Sequence, residues 1–225
     1  MAFPDVASSA TLVFNLDTLF SAGSAAPSAS TPWLTVTAKD VGETVELTFT
    51  APGLTGSEYV DDWYMNLAVE DFNKVGYSRS SAIPTTFVEP TIKIGSNAFV
   101  AGPDGSYGLF FDFANGGGDN ARFGSNGYDE LNNYLGDSVI YTFTYTGAGD
   151  FNAESFNVDS APGSGPYGPY RSAAKVNAIP NPTDPTGSAW IAAIPEPSAG
   201  LLGMLTVTVW SVCARRRGLV LPKRK

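Results

Sequence analysis

The chain has 225 residues, 43% of them hydrophobic and 16% charged, with 24 glycines, 16 prolines, one cysteine and no histidine. The absence of histidine excludes Ser-His-Asp and Cys-His catalysis and histidine-built zinc sites, and a lone cysteine excludes an intramolecular disulfide. The net charge of −9 understates the acidity of the body: six of the 13 Lys and Arg follow Pro195, which leaves seven against 21 Asp and Glu before it, near −14. Such a surface repels nucleic-acid backbones and anionic lipid; it suits solubility outside the cell, cation binding or contact with neutral sugars.

In chain order, Met1 to Ala10 has no basic stretch and carries Asp5 where an apolar segment would stand, so it is not a secretory leader as written. Either the natural start lies upstream and Ala7-Ser8-Ser9-Ala10 is the remnant of a cleavage region, or the chain was trimmed. The fold is expected to begin near Thr11.

The first strand signal is Thr11 to Leu16, followed by a Ser/Ala/Gly/Pro loop from Ser21 to Pro32. Leu34, Val36 and Ala38 alternate with Trp33, Thr35 and Thr37, and Val45, Leu47 and Phe49 alternate with Thr44, Glu46 and Thr48. A period of two predicts two half-buried strands joined by a turn at Gly42-Glu43. Glu58 to Leu67, rich in aromatic and β-branched residues, predicts a central strand. Between Phe72 and Ser96 the signal is weak, with short strands expected around Phe87 and Ile92 to Ile94. Tyr107 to Phe113 is the most hydrophobic run of the body, and continuous apolarity in a strand implies cover on both faces. Further strands are expected at Ser138 to Thr146, Phe151 to Val158, Ala173 to Ala178 and Ser188 to Ile194. About ten short strands with regular turn signals and no amphipathic helix predict an all-β fold, an antiparallel β-sandwich of jelly-roll type spanning residues 11–194.

Three kinds of chemistry are legible in that body. The first is oxygen ligation: Asp112, Asn115, Asp119 and Asn120 lie in a glycine-rich stretch that would offer calcium several hard ligands, although the spacing is neither that of an EF-hand nor of a glycine-rich calcium repeat. The same stretch reads equally as a solvated turn in which Gly, Asn and Asp serve backbone geometry. The second is acid-base work by carboxylate pairs. Asp61 and Asp62, as strand neighbours, are expected to face opposite ways, and Glu43 and Glu46 sit at a turn, so no pair recommends itself for hydrolysis and the chain is read as not an enzyme. The third is sugar stacking: Tyr167 and Tyr170, in a Gly/Pro loop beside Arg171, would offer flat faces, against the alternative that they close the end of the sandwich with rings buried. Tyr128 and Tyr134 flank a further acidic stretch, Asp129, Glu130 and Asn132.

The last thirty residues have a different organisation. Pro195-Glu196-Pro197-Ser198 is held extended by its prolines. An apolar run from Ala199 to Ala214 follows, about 24 Å long as a helix against the roughly 30 Å of a bilayer core. Arg215-Arg216-Arg217 then marks a cytoplasmic end under the positive-inside bias, which assigns the body to the far side of a membrane.

In order and spacing, Pro195-Glu196-Pro197-Ser198, Gly200-Leu201-Leu202-Gly203 and Arg215-Arg216-Arg217 resemble the PEP-CTERM sorting signal of Gram-negative bacteria, a tag recognised by a membrane enzyme of exosortase type. The tail differs from that pattern in the extra residues Gly218 to Lys225 and in Cys213. The body, in the order Trp33 to Ala38, Glu58 to Leu67, Gly108 to Phe113, Arg122 to Gly124, Ser155 to Asn157 and Ser188 to Ala192, is similar to β-sandwich domains found upstream of such tags. The resemblance implies three parts: a start at 1–10, a sandwich at 11–194, and a sorting signal at 195–225 with its motif, a single transmembrane helix and a basic tail. It also implies a precursor anchored in the inner membrane, an exosortase-type processing partner, and a destination at the cell surface or outside the cell, in association with exopolysaccharide or biofilm. A calcium-dependent lectin-like module is the alternative, and a polysaccharide-active hydrolase a third reading.

Overall fold

The computed structural model describes residues 9–20, 32–54, 58–83, 89–102, 105–113, 123–124, 138–164, 166, 168–179 and 187–195. Thirteen strands run through them: β1 Thr11–Leu16, β2 Thr18–Leu19, β3 Leu34–Val41, β4 Thr44–Thr50, β5 Tyr59–Met65, β6 Val75–Ile83, β7 Thr91–Val100, β8 Gly105–Asp112, β9 Phe123–Gly124, β10 Ser138–Tyr145, β11 Ala161–Pro162, β12 Ser172–Ile179 and β13 Gly187–Ala193. Every pairing is antiparallel. The first sheet has the order β1-β3-β4-β10-β6. The second has the order β11-β8-β5-β12-β13-β2, with β7 added on β8 and β9 on β5.

The two sheets meet face to face because each supplies an apolar side. From the first come Val36, Leu47, Phe49, Val139, Tyr141 and Phe143, and from the second Val60, Trp63, Met65, Leu109, Phe111 and Val176, all in one core. Phe49 meets Trp63 edge-on at 4.9 Å and Phe111 at 4.7 Å, so aromatic rings carry the contact between sheets. The indole N–H of Trp63 donates to Ser172 Oγ at 2.9 Å, and that hydroxyl donates to the Tyr64 carbonyl at 2.9 Å, which leaves no polar cost for burying the indole.

The alternation expected over β3 and β4 is met: Leu34, Val36, Ala38, Val45, Leu47 and Phe49 are buried. Their hairpin turns at Gly42, whose φ of +63° is a conformation that glycine adopts without a Cβ clash. The expected central strand is β5, between β8 and β12. Two expectations need correction. Phe151 to Val158 is not a strand but a 3-10 turn at Ala153–Phe156. Ser155 ties it down twice, its N–H donating to the Asn152 carbonyl at 2.9 Å and its hydroxyl accepting from the Asn152 N–H at 3.2 Å. The weak stretch after Phe72 holds two of the longest strands, β6 and β7, while Phe87 lies outside the described residues.

Asp40, at the end of β3, anchors this end of the fold. Its carboxylate accepts from the Ala10 N–H at 2.9 Å and from the Ala153 N–H at 2.6 Å, joining the approach to β1 with the 3-10 turn. The chain divides into two compact units after Ile194.

Candidate functional site

The strongest convergence of ionisable groups lies on the outer face of the second sheet. Cross-strand registers place Trp190, Lys175, Asp62, Asp112 and Thr91 in one row across β13, β12, β5, β8 and β7. The neighbouring row is Ala192, Ala173, Tyr64, Phe110 and Lys93. Lys93 Nζ lies 3.9 Å from the Asp112 carboxylate and 5.2 Å from the centre of the Phe110 ring, so one ammonium serves both rows.

Asp61 joins this group through an irregularity in β5. Lys175 pairs with Asp62 and Val176 with Val60, which leaves Asp61 as an extra residue on its strand. Val60 and Trp63 both point into the core, so the two residues between them both point out. The expectation that Asp61 and Asp62 face opposite ways is therefore overturned: a bulge breaks the period of two on which it rested. Asp61 accepts from Lys175 Nζ at 3.4 Å and from the amide of Asn177.

The electrostatic result is a crowded carboxylate. Burial, then the charges of Asp61 and Asp112, push Asp62 up to about 6, with Lys175 and Lys93 only partly offsetting them. The Tyr64 hydroxyl is held above the ordinary phenol range by burial first and then by the nearby carboxylates of Asp62 and Asp112. Alternating acceptors and donors on one face can bind the hydroxyls of a neutral ligand, and the crowding keeps a proton on Asp62 into mildly acidic conditions. Among the described residues no group of three His, Cys, Asp or Glu is placed to hold a metal ion.

The residues singled out in the sequence are distributed as follows. Asp112 belongs to the ionic row; Asn115, Asp119, Asn120, Tyr128, Asp129, Glu130, Asn132, Tyr134 and Tyr167 lie outside the described residues. Tyr170 is described and is 5% exposed, its ring 4.8 Å from that of Phe20. It offers no free face for a sugar. Its N–H donates to Ser160 Oγ at 3.1 Å and its carbonyl accepts from the Ser160 N–H at 2.8 Å, a pair that fixes the residue with its ring inward. Arg171 is turned to Asp159 at 2.6 Å. Of the tail, Pro195 is described and partly buried, while Glu196, Pro197, Ser198, Arg215, Arg216 and Arg217 are outside. Among the described residues no helix is long and apolar enough to cross a membrane.

Sequence reasoning missed the union of Asp61, Asp62 and Asp112, because register and a bulge create it. No family model, no curated protein and no solved structure matches this chain.

Proposed function

We propose that this protein is an exported surface or extracellular-matrix component, sorted through its C-terminal PEP-CTERM-like signal and associated with exopolysaccharide or biofilm. The observation that carries the reading is the order of the tail: a proline-bracketed motif at Pro195 to Ser198, an apolar run from Ala199 to Ala214, and Arg215-Arg216-Arg217. The last paired strand residue, Ala193, stands two positions before that motif. An exosortase-type enzyme at the inner membrane is the partner this order fits, with a single transmembrane helix as the temporary anchor and the body delivered to the cell surface of a Gram-negative bacterium. The body acts by binding and not by catalysis.

The finer form of the fold in this reading is a jelly roll. Its support is the nesting of pairs: β4 with β10 and β10 with β6 in one sheet, β12 with β5 and β5 with β8 in the other, with the chain passing between sheets from β4 to β5 and from β5 to β6.

The test replaces Pro195, Glu196 and Pro197 with alanine in the full chain, expressed behind a secretory leader in a bacterium that has the processing enzyme. The expected result is an unprocessed precursor retained at the inner membrane, because alanines let the helix extend through the recognition segment. A variant that reaches the surface at the wild-type mass would sink the sorting reading.

A further inference from the structure

The side of the sandwich where β6 and β7 form the edges of the two sheets carries a second cluster. Tyr77 and Arg79 occupy successive same-face positions on β6, roughly 7 Å apart along the strand. They pair with Phe143 and Tyr141 of β10, so both belong to the core-facing side of the first sheet, at its last strand. There the core runs out. Tyr77 is 45% exposed, with one side against Phe143 at 6.0 Å between ring centres and an interplanar angle of 35°. Among the aromatic residues of the described part it alone is more than about a third exposed.

Beside it is a charge-neutral polar clamp. Arg79 Nε is 2.8 Å from Glu89 Oε1, and the buried Tyr141 donates its hydroxyl to Glu89 Oε2 at 2.8 Å. Burial and this bond to Glu89 keep the Tyr141 phenol protonated well above the ordinary range, so it remains a donor that orients the carboxylate. The ion pair is half-open to solvent, with side-chain exposures of 34% and 49%. A guanidinium and a carboxylate fixed side by side present donors and acceptors to one ligand without net charge.

Resting on the polysaccharide association proposed above, we infer that Tyr77, Arg79 and Glu89 form a subsite for one neutral hexopyranose ring of a polysaccharide. The ring's C–H face lies on Tyr77, and two adjacent hydroxyls meet the Arg79–Glu89 pair. The outer face of the second sheet serves this purpose less well, because its rings are already covered: Phe110 is stacked on Tyr64 at 4.7 Å with Lys93 over it, and Tyr64 is 6% exposed. Neutrality of the Arg79–Glu89 pair, in a body near −14, selects an uncharged sugar over an anionic one.

The experiment uses the full-length chain in mild detergent, with cellohexaose, laminarihexaose and mannohexaose as neutral probes and an alginate hexamer as the anionic control. Binding is measured by calorimetry, and for Tyr77→Trp also by indole emission. At least one neutral hexamer binds the wild type. Tyr77→Ala weakens it about tenfold, the upper end of what one aromatic contact contributes, while its circular dichroism keeps the strand signature of the wild type. Tyr77→Trp restores binding and changes emission on titration, and Glu89→Gln weakens binding while Tyr141 keeps an acceptor. A Tyr77→Ala protein that binds as tightly as wild type overturns the subsite and leaves the polysaccharide reading standing. A wild type that binds none of the neutral hexamers, or prefers alginate, overturns both.

Discussion

The two sheets bury different numbers of faces, and the contrast governs what their sequences can reveal. In the first sheet one side is core and the other is wet: Thr35, Thr37, Thr48, Thr50, Ser138 and Thr142 point outward, and Asn15, Thr35, Thr50 and Ser138 share one cross-strand row. In the second sheet both sides are covered. Trp63, Met65, Leu109 and Phe111 face the shared core, while Tyr64, Ala173 and Ala192 form a separate cluster with Phe20 and Tyr170 on the opposite face. A one-sided sheet writes a period of two into its sequence; a two-sided sheet writes an apolar run that hides which residue faces where.

Single substitutions can break that contrast directly. Phe49→Ala, in the rings between the sheets, is expected to cost about 3–5 kcal/mol in urea denaturation. Tyr64→Ala, on the outer face of the second sheet, is expected to cost about 3 kcal/mol, because its ring is buried among Phe110, Tyr107 and Trp190. Thr48→Ala, on the outer face of the first sheet, should stay within about 0.5 kcal/mol. Equal and small effects at Tyr64 and Thr48 would mean that the second sheet is not covered on both sides.

An effect smaller than those at Phe49 and Tyr64 is expected where β3 is tied to the approach to β1. Asp40→Ala removes the acceptor of two backbone donors, at Ala10 and Ala153, and should cost about 2 kcal/mol. Asp40→Asn keeps one acceptor oxygen and should recover part of the loss. Hydrogen exchange at the Ala153 amide is the sharper readout, since it should accelerate in Asp40→Ala before the amides of β4 do. Uniform acceleration would show that Asp40 contributes no local clamp.

Much of the first sheet was legible because its central strands combine alternation with a glycine turn, from Leu34 to Thr50. The edge strand β6 was not, although β1 at the other edge was. Val75 to Ile83 reads Val-Gly-Tyr-Ser-Arg-Ser-Ser-Ala-Ile, with few apolar positions, because at the end of a sheet the core-facing side is itself half wet. Tyr77 was the available signal there: one aromatic ring between glycine and serine in a strand with little else to bury. The central position of β5 was legible from its aromatic residues, but the union of Asp61, Asp62 and Asp112 was not, since an extra residue in a ladder leaves no mark in a single sequence. The Gly/Pro loop around Tyr170 left its ring open to two readings, a face for a sugar or a buried end-cap; the second holds, with the backbone pinned to Ser160, ten residues away.

The effect that separates a merely tolerated ionic row from a titrating one belongs to Asp62. Its carboxyl titrates near 6 in the fold against an ordinary value of 3.8, because burial and the charges of Asp61 and Asp112 favour the neutral form. A folded value raised above the unfolded one means that the fold holds this proton more tightly. Its contribution is therefore fully present below pH 3.8 and is lost as pH rises through 6. The difference in stability between wild type and Asp62→Asn isolates this group from the other carboxylates: the variant should gain on the wild type between pH 4 and 7, by about 1 kcal/mol or less, since the site is half-exposed and solvent screens it. Added salt should shrink the gain, as the like charges of Asp61 and Asp112 are screened over roughly 8 Å at physiological ionic strength. A stability difference that stays flat across that pH range would show that Lys93 and Lys175 compensate the row completely. Asp62 would then titrate as an ordinary surface carboxylate.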